Sequence, residues 1–388
     1  MSAPGSGTFE PVRDLLDGRV AAGDVPGYVA AISHRGRVEV LVGGAHSPGG
    51  APLRPDAQFR TASLTKPVAG VLVCALVEDG VLALDDEVAR WLPELAAPRV
   101  LRDPGGPLAD TVAAHRPVLV RDLVTMTFGL GWVDEPGPLR NAVADAGLEP
   151  GPFPPEVGHD EFAARLGALP LAHQPGERWM YHTGSDVLAV LLARATGRPL
   201  GEVLDERVLR PLGMTSTAFR ATDPGRVATL WETGPGGALR VMAAPDPAAP
   251  PVFESLSCGL LSTAQDLLAL FTALLAGGRG VLSAASVVAM TSDQLTPAQR
   301  AAAGDGLDPG TSWGLHTGVT VEPVRAWDTV GRFGWSGGLG TTAYADPAHD
   351  LVAVLMTQRL WSGDPEEFDA FHRCMHSCLP GGTWNRGT

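Results

Sequence analysis

The chain has 388 residues, of which 45% are hydrophobic and 19% are charged, a composition typical of a soluble globular protein. Its net charge of −14 argues against nucleic acid and anionic membranes as partners. The N-terminal stretch lacks a basic segment followed by an apolar one, and no apolar run reaches membrane-spanning length. Four cysteines in a chain of this size do not suggest a disulfide framework. We therefore expect a cytoplasmic protein that binds neither nucleic acid nor a membrane.

Segments with strand and helix signatures follow one another in a clear order along the chain. Two β-hairpins are predicted, one near each end, because runs of apolar and β-branched residues flank turn residues at 28–42 and 341–357. Apolar periodicity and capping residues predict helices at residues 9–22, 68–77, 185–196, 200–209, 259–278 and 366–378. Residues 129–160 are rich in Gly, Pro, Asp and Glu, which predicts a long surface loop.

The distribution of these elements predicts the architecture. Strands lie at both ends of the chain and helices dominate the middle, so we expect an α/β (α+β) protein with one antiparallel sheet built from both termini and flanked by helices. An all-α region is inserted between the two halves of the sheet. We place the α/β domain at residues 1–67 and 226–388 and the mostly helical domain at 68–225, with the active site between them.

The stretch from Phe59 to Gly80 carries the strongest chemical signal. Pro67 is tolerated only in the first turn of a helix, so it places the helix start there and leaves Ser63 at or just before the first turn. Lys66 follows three residues after Ser63, a spacing that puts its amine and the hydroxyl on one helix face. At this position, unpaired backbone N–H groups and the positive end of the helix dipole can hold an oxyanion.

Lys66 is the only lysine in the chain, and the other 28 of the 29 basic residues are arginine. Arginine cannot be deprotonated in a protein, whereas a buried lysine can become a neutral base. The alternative is that Ser63 caps the helix and Lys66 is a surface charge, because the S-x-x-K pattern is common by chance. The buried helix, the proline and the sole lysine together favour catalysis by Ser63 and Lys66.

Two later segments add candidate residues. Tyr181 precedes a predicted helix, and its phenol can share the general-base role with a neutral lysine, although a core aromatic cluster also explains it. The glycine-rich stretch Gly334–Gly340 suits close approach of backbone to a ligand. It also matches the G-x-S-x-G nucleophile elbow at Ser336, but that motif needs a helix after the serine, and strand-forming residues follow here. We therefore reject the elbow.

These three segments, in this order, resemble the serine β-lactamase and penicillin-binding protein superfamily, and most of all its class C-like branch with the family VIII carboxylesterases. The resemblance covers residues 20 to 358 and implies an α/β domain from both termini plus an all-α domain. It implies that Ser63 is the nucleophile, Lys66 its activating base, and Tyr181 a general base and acid. Trp335, Ser336 and Gly337 would occupy the strand motif that binds substrate. The N–H groups of Ser63 and Gly338 would form the oxyanion hole.

Two departures from the family pattern bear on the substrate. Thr183 stands where an asparagine is usual, and a hydroxyl cannot present both donor and acceptor groups as an amide does. Trp335 replaces a basic residue that helps β-lactamases and peptidases to hold a substrate carboxylate. Arg332 is a candidate for restoring that charge. Both changes favour an uncharged or bulky acyl ester over penicillin or peptide.

We interpret the chain as a serine hydrolase that cleaves carboxylic esters through an acyl-enzyme, with no cofactor and no metal. The alternatives are an acyltransferase to a small-molecule acceptor, a DD-peptidase or β-lactamase, and a catalytically idle binding protein on the same fold. The sole lysine argues against idleness. The His and Cys residues of the helix at 366–378 lie on two different faces and do not converge on one ion, so we interpret them as part of an ordinary terminal helix.

Overall fold

The computed structural model describes residues 8–47 and 49–380. Within these ranges the chain forms thirteen β-strands and twelve α-helices. The strands are β1 (Gly27–His34), β2 (Arg37–Gly44), β3 (Phe59–Arg60), β4 (Arg99–Leu101), β5 (Thr111–Ala113), β6 (Trp231–Thr233), β7 (Leu239–Val241), β8 (Leu261–Ser262), β9 (Thr311–Trp313), β10 (Gly318–Thr320), β11 (Phe333–Gly337), β12 (Thr341–Asp346) and β13 (Leu351–Thr357). The helices are α1 (Glu10–Ala21), α2 (Thr65–Glu78), α3 (Val120–Val124), α4 (Pro138–Asp145), α5 (His159–Gly167), α6 (Thr183–Thr196), α7 (Leu200–Leu204), α8 (Arg210–Leu212), α9 (Ala264–Leu275), α10 (Ala284–Met290), α11 (Pro297–Ala303) and α12 (Glu366–Ser377).

The principal sheet has seven strands in the order β2-β1-β13-β12-β11-β10-β9, and every neighbouring pair is antiparallel. Strands from the two ends of the chain are neighbours in this sheet, where Ile32 of β1 pairs with Ala353 of β13. The β1–β2 hairpin closes through Arg35 and Gly36, which both have positive φ (50° and 75°), as a tight turn between twisted strands requires. The expected antiparallel sheet built from both termini is confirmed.

Helices cover both faces of this sheet because successive side chains of a strand point to opposite sides. Tyr28, Ala30 and Ile32 pack in one apolar cluster with α1 and α12. Val29 and Ala31 face the other way, into the large cluster that includes α9 and α2. Seven of the eight residues of β1 are buried, as expected for a strand between two layers.

The helical region stands on one side of the sheet, with α2 at its centre. All residues of α2 from Thr65 to Leu76 are buried, as its apolar composition predicts. The helices α3, α5 and α7 pack around α6, whose residues from Thr183 to Leu192 are also buried. One continuous apolar cluster joins this region to the sheet. The division into two domains at residues 68 and 225 therefore stays a prediction.

Two predicted segments differ from the structure. The predicted loop at 129–160 contains α4, which begins at Pro138 after the extended residue Gly137. The predicted helix at 259–278 begins only at Ala264, because the Thr263 hydroxyl accepts a hydrogen bond from the Asp266 amide and fixes the N-terminus there. The residues before it form β8, which pairs with β3. None of the helices in the described ranges is long and apolar enough to cross a membrane.

Candidate active site

Ser63 lies in a short 3-10 turn, Ala62–Leu64, between β3 and α2. The turn is fixed from two sides through Thr61. The amide and hydroxyl of Thr61 both donate to the Leu260 carbonyl (2.9 and 2.8 Å), and the Thr341 hydroxyl of β12 donates to the Thr61 carbonyl (2.8 Å). These contacts hold the Ser63 hydroxyl at the junction of sheet and helices.

Lys66 lies in the first turn of α2 and is fully buried, which excludes the alternative of a surface charge. Its Nζ is 3.2 Å from the Ser63 Oγ and donates to the Ser257 carbonyl oxygen at 2.9 Å. The structure thus brings the hydroxyl and the amine within hydrogen-bond distance, as their spacing predicts. Their catalytic roles stay predictions.

Tyr181 lies beside the lysine, and Trp335 contacts Tyr181. The Lys66 Nζ is 4.4 Å from the centre of the Tyr181 ring, and the Trp335 Nε1–H donates to the Tyr181 hydroxyl oxygen at 2.6 Å. Trp179 stacks on Tyr181, with ring centres 5.5 Å apart, and Trp313 meets Trp335 edge-on at 4.6 Å. The aromatic packing fixes the phenol, and the indole N–H supplies it with a hydrogen bond but no charge.

Strand β11 passes close to the nucleophile turn at Gly337. A Cβ added there would lie 2.2 Å from the Thr61 carbonyl oxygen and 3.2 Å from the Ser63 amide nitrogen, so only glycine permits this approach. The next residue, Gly338, accepts a hydrogen bond from the Trp361 amide (2.8 Å). The strand thereby brings its glycine backbone next to Ser63. The oxyanion hole formed by Ser63 and Gly338 remains a prediction.

One predicted substrate-binding side chain, that of Ser336, is not brought to the Ser63–Lys66 pair. The Ser336 hydroxyl donates to Thr342 (2.9 Å), which contacts His372 (3.1 Å) on the α12 side of the sheet. Because strand side chains alternate, Ser336 points away from the face that carries Trp335. Only its backbone is available to a substrate. No helix follows Ser336, in agreement with the rejection of the elbow.

Thr183 and Arg332 complete the set of predicted residues. Thr183 is the buried first residue of α6, and within the described part of the chain its hydroxyl makes no hydrogen bond to Ser63, Lys66 or Tyr181. Arg332 stacks on the Tyr344 ring at 4.0 Å. It directly precedes β11 and contacts Tyr344 on the sheet face to which Ser336 points, so its guanidinium is directed away from the face that carries Trp335.

Sequence reasoning missed a buried acid beneath the lysine. Asp186 accepts hydrogen bonds from the hydroxyls of Ser255 (2.6 Å) and Ser257 (3.0 Å), and the His182 Nε2 is 3.7 Å away. Burial raises the pKa of Asp186 to about 6. Burial and the nearby Lys66 charge hold the pKa of His182 well below its ordinary value. A lone acid in the buried first turn of a mostly apolar helix, five residues after Tyr181, was the available signal.

The sequence of this chain is similar to those of known proteins along most of its length. The sequence matches the family described as Beta-lactamase over residues 12–373. It is 36% identical over 370 residues to an uncharacterised protein of Mycobacterium tuberculosis, covering 91% of this chain and 89% of the relative. It is 32% identical over 363 residues to esterase EstB of Burkholderia gladioli, covering 87% of each.

The fold is similar to that of EstCE1, a hydrolase with promiscuous acyltransferase activity. The two structures have a TM-score of 0.82 and share 23% sequence identity, and the match covers 95% of this chain and 98% of EstCE1. At this identity the likeness concerns the fold alone.

Proposed function

The chain belongs to the Beta-lactamase family, and we propose that it is a serine hydrolase that cleaves uncharged carboxylic esters through an acyl-enzyme on Ser63. The observation that carries the proposal is the buried Lys66 amine, the chain's only lysine, 3.2 Å from the Ser63 hydroxyl. A buried amine at hydrogen-bond distance from a serine is the arrangement of a base and its nucleophile. The relative EstB, named an esterase, supports the ester as substrate.

The proposed reaction proceeds in two halves. The Ser63 Oγ attacks the ester carbonyl carbon while the Lys66 amine takes the hydroxyl proton, and the N–H groups of Ser63 and Gly338 hold the oxyanion. The ester C–O bond then breaks, and the leaving alcohol receives a proton from Tyr181 or Lys66. Water attacks the acyl group, the same bases take its proton, and the Ser63 hydroxyl is restored as the carboxylic acid leaves.

An uncharged substrate fits the surroundings of the nucleophile. Trp335 stands at the position for which the resemblance implies a cation, and its N–H is directed to Tyr181. Arg332, which directly precedes β11, stacks on Tyr344 on the opposite face of the sheet. An apolar cluster adjoins the nucleophile turn through Ala62, the residue before Ser63. Its members are the buried Ala62, Leu230 and Leu339 and the partly buried Phe153, Met242 and Leu360. Apolar side chains next to the nucleophile turn suit the organic part of an uncharged ester.

Acyl transfer to an alcohol is the second candidate, because it shares the first half of the reaction. The acyl-enzyme is consumed by whichever nucleophile reaches its carbonyl, and nothing in the Ser63–Lys66 pair selects water. Adding a small alcohol during turnover distinguishes the two: an acyltransferase yields the new ester in preference to the free acid.

The direct test replaces the nucleophile. Ser63→Ala is expected to lower hydrolysis of p-nitrophenyl butyrate to the uncatalysed rate and to abolish labelling by a fluorophosphonate probe, while circular dichroism shows an unchanged fold. Substantial activity remaining in Ser63→Ala would refute the mechanism. Loss of activity in Ser336→Ala with retention in Ser63→Ala would revive the elbow hypothesis.

A further inference from the structure

A buried polar turn lies directly beneath Lys66. Ser255 and Ser257 are fully buried and Cys258 nearly so, and the Ser257 carbonyl accepts the hydrogen bond from the Lys66 Nζ (2.9 Å). The other partner of the amine is the Ser63 Oγ. The Lys66 amine thus lies between the nucleophile and this turn, with one hydrogen-bond contact to each.

The Ser257 carbonyl decides where the amine points. A neutral amine has two N–H bonds and one lone pair, and as a base it must turn the lone pair toward the Ser63 hydroxyl. An acceptor fixed on the opposite side takes one N–H and leaves the lone pair for Ser63. A displaced carbonyl would let the amine rotate or move, and about 1 Å of misplacement is enough to cost roughly a hundredfold in rate.

The carboxylate of Asp186 holds this turn in place. Its two oxygens accept the hydroxyls of Ser255 (2.6 Å) and Ser257 (3.0 Å). The Ser255 Oγ in turn accepts from the amides of Ser257 (3.1 Å) and Cys258 (3.2 Å). Both lone pairs of the Ser255 oxygen are therefore occupied, so its proton needs an acceptor, and Asp186 provides one.

We propose that Asp186 is a positioning residue, whose carboxylate holds the Ser255–Cys258 turn so that the Ser257 carbonyl aims the Lys66 amine at Ser63. Asp186 lies on α6, five residues after Tyr181, so one segment positions the phenol and, through the turn, the amine. This inference rests on the proposed function, because it assigns Asp186 a role in the acylation of Ser63.

The test compares Asp186→Ala and Asp186→Asn with a matched control, Asp266→Ala. Asp266 is also a buried carboxylate that accepts an amide (Ser216, 2.8 Å) and a hydroxyl (Thr217, 2.8 Å), but it has no hydrogen bond to the turn. Measured quantities are kcat and KM for p-nitrophenyl butyrate, the rate of Ser63 labelling by a fluorophosphonate, and Tm.

We expect Asp186→Ala to lower kcat/KM and the labelling rate about a hundredfold with KM nearly unchanged. Asp186→Asn, which keeps one acceptor oxygen, should lose roughly tenfold. Asp266→Ala should lower Tm and leave kcat within about twofold. If Asp186→Ala does not fold, Asp186→Asn decides the question.

Three results would overturn the inference: wild-type kcat in a folded Asp186 variant, a loss confined to KM, or the same loss of kcat in Asp266→Ala. Failure of the proposed function gives a different pattern, since the wild-type protein itself would then neither cleave esters nor become labelled at Ser63.

Discussion

At the scale of single residues, substitution of Lys66 can distinguish a role for its positive charge from a role as proton acceptor. Its Nζ lies between the Ser63 hydroxyl and the Ser257 carbonyl without exposure to solvent. Arginine keeps the positive charge, but its guanidinium is bulkier and cannot accept the serine proton. We expect Lys66→Arg to be nearly as inactive as Lys66→Ala, each losing about 10²–10⁴-fold in kcat/KM.

The measurement is kcat/KM for p-nitrophenyl butyrate on variants whose circular dichroism matches the wild type. If Lys66→Arg retained most of the activity, positive charge alone would be sufficient at this position. The proton-transfer role of Lys66 would then be wrong.

The titration of Asp186 predicts how kcat changes with pH on the acid side. Burial raises its pKa to about 6, holds the pKa of His182 well below its ordinary value, and lowers the pKa of His316 to about 3. Burial also raises the pKa of the Cys258 thiol to about 11. The neighbouring imidazoles and thiol therefore stay neutral while Asp186 titrates beside Lys66. Protonated Asp186 no longer accepts both hydroxyls, so kcat should fall as the pH drops through about 6.

The stability effect of the same group has the opposite sign. An acid whose folded-state pKa is raised binds its proton more tightly in the folded protein, so its contribution to stability falls as the pH rises from about 4 through 6. Loss of kcat below pH 6 should therefore not accompany loss of fold. We expect the acid limb near pH 6 in wild type and its absence in Asp186→Asn, measured as log kcat against pH with Tm as control. An identical limb in Asp186→Asn would contradict the assignment.

At the scale of elements, the sequence predicts best where one local pattern determines the outcome. The apolar run of α2, bounded by Pro67 and Gly80, has no competing arrangement, and the structure buries it as expected. The hairpins at both ends have strand periodicity and turn residues, and both form. Strand alternation also predicts that the Ser336 side chain points to the face of the sheet opposite to that of Trp335.

Other elements depend on contacts that lie far away in sequence. Helix α4 forms in a Gly- and Pro-rich stretch because buried Leu139 and Val143 pack in the main core, which composition does not show. Ala62 and His182 have positive φ (45° and 84°), a conformation that few non-glycine residues adopt. Such turns persist only where the surrounding structure fixes them. Their positions beside Ser63 and Tyr181 were not available from local pattern.

The contact between β11 and the nucleophile turn gives a prediction at this scale. Gly337→Ala would place a methyl group 2.2 Å from the Thr61 carbonyl and push the strand away from Ser63. We expect a loss of about 1–3 kcal/mol in stability and a large fall in Ser63 labelling. Gly338→Ala is the matched comparison, since its Cβ meets nothing within 4 Å.

The measurements for this pair are the free energy of unfolding in urea and the fluorophosphonate labelling rate. Gly338→Ala should unfold like the wild type. The contrary result is a Gly337→Ala variant that matches the wild type in stability and labelling rate. That result would show that β11 can move away from the turn without effect, and that their close approach has no role in placing Ser63.

At the scale of the whole molecule, the site is assembled from four distant stretches of chain. Ser63 and Lys66 come from near the N-terminus, and Tyr181 and Asp186 come from the helical region. The Ser255–Cys258 turn precedes β8, and Trp335 comes from the C-terminal half of the sheet. Residue types and the order of motifs indicated Ser63, Lys66, Tyr181 and Trp335, but neither Asp186 nor the Ser255–Cys258 turn. The Asp186–Ser257 connection depends on tertiary packing between residues 71 positions apart, which no local pattern encodes.

Charge at the scale of the molecule bears on substrate choice. The chain carries a net charge of −14, and Trp335 stands at the position for which the family resemblance implies a cation. An anionic β-lactam therefore meets a repulsive overall field, screened beyond roughly 8 Å at physiological salt. It also loses a charge-assisted hydrogen bond of about 1.5–3 kcal/mol. A neutral ester loses neither and can pack against the indole.

We therefore expect a higher kcat/KM for p-nitrophenyl butyrate than for nitrocefin, after each is corrected for uncatalysed hydrolysis. The missing hydrogen bond alone should lower kcat/KM for nitrocefin by about one to two orders of magnitude, since each 1.4 kcal/mol is tenfold in rate. Trp335→Lys should narrow the difference by raising nitrocefin turnover, because an ammonium group at this position restores the charge. Trp313→Phe, which removes an indole N–H bonded to the Val124 carbonyl, is the control for lost aromatic packing. A higher corrected value for nitrocefin in the wild type would refute the ester preference, because the protein would then hold an anionic substrate without the cation at position 335.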